Sequence, residues 1–131
     1  MPNRNRVRPQ LHFLFFCTIL LLTGCNSQTQ ELEQLEQASR SYKEQRDYVS
    51  LEIIHWHLRK GMVRTKVEEL LGEADYSPIE GQDYYSSDRH EAERRGEEQI
   101  DTPVGLVVDY QDEQGVLTDR LQEFRLGRIG E

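Results

Sequence analysis

The chain has 131 residues, 16 of them Lys or Arg and 24 Asp or Glu, for a net charge of −8. An acidic chain with no basic stripe argues against a nucleic-acid partner and against charge-driven binding to anionic lipid headgroups. Two cysteines, Cys17 and Cys25, provide neither a disulfide framework nor a Cys-rich metal site, so the fold must be held by its core.

Arg4, Arg6 and Arg8 open the chain, and Leu11 to Leu22 is apolar except for His12, Cys17 and Thr18. A helix of that length rises about 18 Å, short of a hydrocarbon core of roughly 30 Å, so it reads as a secretory leader rather than a permanent span. The run ends in Leu22-Thr23-Gly24-Cys25. That order resembles the lipobox of bacterial lipoprotein precursors. The resemblance implies removal of residues 1–24, a cut between Gly24 and Cys25, and a diacylglyceryl thioether on the Cys25 sulfur, commonly with a third chain on the new amino terminus. Each buried CH₂ contributes about 0.8 kcal/mol, so two or three chains hold a protein that one chain binds only reversibly. Asn26, where Asp would signal inner-membrane retention, implies the periplasmic face of the outer membrane. The alternatives are an ordinary cleaved signal peptide or a buried helix. Losing the leader takes three Arg and no acid, so the mature net charge falls from −8 to −11.

Residues 25–47 read as a lipid-anchored polar tether, helical or flexible. The run from Gln30 to Gln37 is Gln/Glu-rich with good helix formers. Leu32, Leu35, Ser39, Tyr42, Arg46, Val49, Ile53 and Trp56 follow a 3–4 spacing, a weak helical seam interrupted by Ser39 and Arg46. A short coiled coil is the sharper reading and a solvated tether the plainer one.

The folded domain is expected over 48–131. A helix carrying Val49, Ile53, Ile54, Trp56 and Leu58 should stop by Gly61, with Arg59 and Lys60 suited to its C-terminus. A second helix over Val63–Leu71 has one apolar face, Val67, Leu70 and Leu71 beside Val63, and should end at Gly72. A strand is expected over Val104–Tyr110, then a turn over Gln111–Gly115 and a strand over Val116–Leu126. Leu117 and Leu121 differ in parity from Phe124 and Leu126, so a bulge near 120–122 is needed to bury all four. Tyr84 and Tyr85 suggest a third strand. Residues 86–101 are almost wholly polar and read as a mobile charged loop. The fold class is therefore α+β: two helices packed on a small antiparallel sheet of about three strands, preceded by the tether.

Gly61-Met62-Val63-Arg64-Thr65-Lys66-Val67-Glu68-Glu69-Leu70-Leu71-Gly72 resembles the signature of the SmpA/OmlA family, the BamE-like small lipoproteins. Gly61, Met62, Val67, Leu70, Leu71 and Gly72 match its spacing. Tyr76, Tyr84-Tyr85 and the Asp112–Gly115 turn stand where the family has an aromatic segment and an acidic-Gly hairpin turn. The chain departs from the pattern at Val63, where the family has a capping Thr or Ser, and at Ala74, where it has Pro. Val cannot accept the capping bond, at a cost of about 1 kcal/mol, unless Thr65 caps a shorter helix.

His55 and His57, at i and i+2 on a helix, point too far apart to share a metal. His90 lies among Asp88, Glu91 and Glu93, a solvated charge run rather than a cation site. No catalytic motif is present, and neither an enzyme, a cofactor other than lipid on Cys25, nor a small-molecule substrate is expected. The resemblances imply a lipid-anchored, non-catalytic scaffold or accessory in outer-membrane or envelope assembly, with an envelope protein as partner. The alternative is a periplasmic binding or enzyme-inhibitor module of the same two-helix-on-sheet architecture. Trp56, Tyr76, Tyr84 and Tyr85 are the candidate partner contacts, with burial in the core as the competing assignment.

Overall fold

The computed structural model describes residues 13–129, with side chains from Ser27 onward. The basic start of the leader and the side chain of Cys25 therefore lie outside the described residues. Three helices, α1 (Phe13–Gln45), α2 (Tyr48–His57) and α3 (Arg64–Leu71), precede four strands, β1 (Tyr76–Ile79), β2 (Gln82–Arg95), β3 (Glu98–Asp109) and β4 (Glu123–Arg128). Among the described residues no helix is long and apolar enough to cross a membrane.

The chain divides into two compact units, one ending at Gln34 and one beginning at Leu35. In the first, residues 27–34 are helical and exposed. The second contains the core. Its sheet is antiparallel throughout, in the order β1-β2-β3-β4. The core joins Ala38 and Tyr42 of α1, Leu51 and Ile54 of α2, and Val67, Leu70 and Leu71 of α3 to Tyr85, Leu106 and Val108. Phe124 and Leu126 pack against its margin. In the register Tyr85 opposes Leu106, which opposes Leu126, so these side chains share one face and the helices lie on it. Each such burial contributes about 1.5–3 kcal/mol.

The domain thus starts before Tyr48. Residues 25–47 are not simply a tether, because α1 carries Ala38, Ser39 and Tyr42 into the interior. The two polar seam residues have a definite task there. Ser39 Oγ donates to Leu70 O at 2.8 Å, and Arg46 donates to Leu71 O at 3.4 Å and Glu73 O at 3.1 Å. The carbonyls at the end of a helix have no intrahelical donors, and α1 supplies them. The seam does not run on into α2. Arg46 takes φ 55, and Asp47 starts a new helix, which leaves Val49 exposed.

Asp47 caps α2, accepting from Ser50 N at 2.9 Å and from Ser41 Oγ at 2.8 Å. Burial alone would raise its pKa, but these hydrogen bonds outweigh it and hold the carboxyl below its usual range. A depressed carboxyl contributes stability that is complete above its unfolded pKa of about 3.9 and is lost as pH falls through the folded value. Asp47→Ala should therefore lower unfolding stability by about 1 kcal/mol at pH 7. Urea titrations of the two proteins should converge as the pH falls through the carboxyl's depressed folded value, and a constant difference would remove the cap as its source.

Helix α3 starts at Arg64 with Val63 in the cap position and no side-chain cap bond, and Thr65 does not replace it. A neighbouring segment compensates. Arg64 N donates to Asp119 O at 2.8 Å, Gly61 N to Leu121 O at 2.7 Å, and Leu121 N to Met62 O at 2.8 Å. Gly72, at φ 79, ends the helix in a conformation that side chains resist.

Three expectations about the sheet are corrected. It has four strands rather than about three, β1 being a short edge strand that contains Pro78. Val116–Leu126 is not one bulged strand. Leu117 is 43% exposed, Leu121 is buried outside any strand, and β4 begins only at Glu123. Residues 86–101 are not a loop but the distal half of the β2–β3 hairpin, paired from His90–Pro103 to Arg95–Glu98 around Gly96-Glu97. Gly96 has φ 68, the positive value required at the first central position of a II′ hairpin turn.

Candidate functional site

No helix packs on the other sheet face among the described residues. Its central row, Ser86, Gly105 and Gly127, has little side chain. Ile129 folds over that floor: a Cβ built on Gly105 would meet Ile129 Cδ1 at 2.8 Å and Tyr85 O at 2.3 Å. Beside it is a groove of about 410 Å³ lined by Asp75, Tyr76, Pro78, Tyr84, Ser86, Pro103 and Ile129. The Tyr76 and Tyr84 rings meet edge to face, 5.9 Å between centroids. Asp75 fixes one wall. Its carboxylate accepts Ser86 N at 2.8 Å and Ser86 Oγ at 2.7 Å, and pairs with Arg46 at 3.0 Å.

The four aromatic candidates therefore separate. Tyr76, 62% exposed, and the half-buried Tyr84 come together in the groove. Trp56 is 68% exposed but lies on α2, its ring 5.6 Å from that of His55. Tyr85 takes the competing assignment, burial in the core. It is 1% exposed on the helix-facing side, its hydroxyl 3.5 Å from Gly72 O, and burial pushes its pKa up.

A second concavity, about 580 Å³, lies between α3 and β1 and is lined by Arg64, Glu68, Gly72, Glu73, Ala74, Ser77 and Asp83. Asp83 is buried, which residue type alone does not reveal. It accepts Ser77 Oγ at 2.6 Å and Arg64 Nη2 at 3.1 Å, while Arg64 Nε donates to Glu68 at 2.8 Å. The Glu68 hydrogen bond, against some desolvation, raises the Arg64 pKa further. The guanidinium lies 4.7 Å from the centroid of the buried Tyr110 ring. The cluster is internally paired, apart from the Tyr110 hydroxyl, which has no partner among the described residues.

His55 packs against the Phe124 ring at 5.6 Å, and desolvation lowers its pKa. His57 Nδ1 lies 2.8 Å from Ile53 O, and His90 is exposed on the hairpin. Among the described residues no three His, Cys, Asp or Glu side chains assemble as metal ligands.

The architecture is α+β, three helices with a four-stranded antiparallel sheet. Comparison with protein-family models, with curated proteins and with solved structures found no match to the chain.

Proposed function

We propose that the chain is a lipid-anchored envelope protein, with a BamE-like domain that serves as a non-catalytic scaffold or accessory in outer-membrane or envelope assembly. The observation that carries this reading is Leu22-Thr23-Gly24-Cys25 at the end of an apolar run headed by three arginines. The domain adds support of a second kind. In the stretch that resembles the family signature, Val67, Leu70 and Leu71 are buried on one face of α3, and Gly72 takes a positive φ. The aromatic groove on the sheet face away from the core helices suits contact with a protein partner.

Cys25→Ser tests the anchor. The variant should leave the membrane fraction and lose incorporation of labelled fatty acid. Retention of both would sink the reading. Affinity capture from solubilised membranes tests the role: an outer-membrane assembly complex is expected, and a soluble enzyme in its place would favour the inhibitor reading.

A further inference from the structure

The edge of β2 that faces away from β3 is filled in steps. Asp75 N donates to Tyr84 O at 2.9 Å, the Asp75 carboxylate takes Ser86 N at 2.8 Å, and Asp88 N donates to Arg46 O at 2.9 Å. From His90 onward the filling stops. Pro103 O accepts Ile129 N at 2.9 Å, so Pro103 turns its carbonyl toward β4. Alternation along β3 then aims Thr102, Ile100 and Glu98 at their partners Glu91, Glu93 and Arg95. His90, Ala92 and Arg94 consequently point their N–H and C=O groups out of the sheet, where no described residue meets them. An open row of this kind is a template for another strand.

Three further features bear on an occupant. The distal hairpin has two strands and no helix beneath it, a form only marginally stable alone, and a third strand would stabilise it. His90 opposes Pro103, a wall of the aromatic groove, so His90, Ala92 and Arg94 project on the groove's face. That row runs from His90, beside the groove's Pro103, to the cationic Arg94, with Asp101 of β3 across from Ala92 between them.

We infer that the His90–Arg94 edge of β2 is a strand-addition site. An extended segment of a partner protein pairs with it, seats an apolar side chain over His90 toward Pro103 at the end of the groove, and places an acidic side chain beside Arg94 four residues away. The inference rests on the domain being an interaction module, and it names how the partner is held.

The test uses the full chain in its own membranes. A benzophenone amino acid at position 90 or 92 is photolysed, and the attachment points are mapped by mass spectrometry. One partner segment should be labelled at residues two apart, the spacing of a strand, with an acidic residue further along. The same probe at Gln99, on the opposite edge, should miss that segment. Ala92→Pro removes one outward N–H and no β2–β3 ladder bond, so the thermal melt should be kept while the position-90 product falls about tenfold. Ala92→Val, which keeps the N–H, should retain it. If the proline variant does not fold, Arg94→Glu decides, with a similar loss expected against retention in Arg94→Lys. Products scattered over unrelated proteins, products with a second copy of this chain, equal labelling from Gln99, or indifference to these variants would overturn the site. Membrane retention through Cys25, scored in the same cells, separates that failure from failure of the anchored-scaffold reading.

Discussion

Tyr42→Ala should cost the domain about 3–5 kcal/mol, the range for emptying a fully buried aromatic site. The ring has no exposure, Arg46 lies 4.9 Å from its centroid, and its hydroxyl donates to Ser86 O at 2.7 Å. Tyr42→Phe keeps the packing and loses the bond, so about 1 kcal/mol is expected. Truncation sharpens the same point. A chain starting at Leu35 keeps every core residue and should unfold cooperatively in urea. A chain starting at Tyr48 lacks Ala38, Ser39 and Tyr42 and should have no cooperative transition. A normal midpoint for the shorter chain would mean that α1 is dispensable after all.

Arg64→Ala should be the most damaging change in the polar cleft. It leaves Asp83, whose side chain is 5% exposed, with Ser77 alone, and it uncovers the Tyr110 ring. Breaking a wholly buried pair costs about 3–5 kcal/mol; the Arg64 side chain is 35% exposed, so about 2–3 kcal/mol is expected. The stranded carboxylate is the cause, and Asp83→Asn in the same chain should recover part of the loss. Unfolding free energies for the two single variants and the double variant give the coupling directly. Simple additivity would show that the two side chains do not depend on each other. Arg64→Lys should fall between, since one ammonium cannot reproduce a guanidinium that spans Glu68 and Asp83.

The 3–4 spacing through Val49, Ile53 and Trp56 located α2 but not its buried face: Val49 and Trp56 are exposed, and Leu51 and Ile54 face the core. Helix α3 was legible with its face, because Val67, Leu70 and Leu71 form one buried stripe. The distal hairpin was not, for the same reason inverted. Alternation of polarity marks a strand only where one face is buried, and residues 88–101 have no buried face. The usable signal there was Gly96-Glu97 between oppositely charged Arg95 and Glu98, which suits a two-residue turn. Ser39 and Arg46 read as flaws in a seam because spacing does not reveal what a seam faces. They meet the carbonyl end of α3, where hydrogen-bond donors are required. Val63 was rightly seen to lack a cap, but the compensation came from Asp119, far along the chain and in no regular element. In the aromatic set, residue type separated nothing. Register did, by putting Tyr84 on one face and Tyr85 on the other.

The bonds from α1 also set an order of events. Ser39 and Tyr42 leave the ribosome before Leu70 and Ser86, the residues whose carbonyls they meet. The β2–β3 hairpin, by contrast, closes through neighbours in sequence and needs little chain to form. The first helix made therefore cannot dock until α3 and β2 exist, and until then its Tyr42 face stays open to whatever else binds apolar surface.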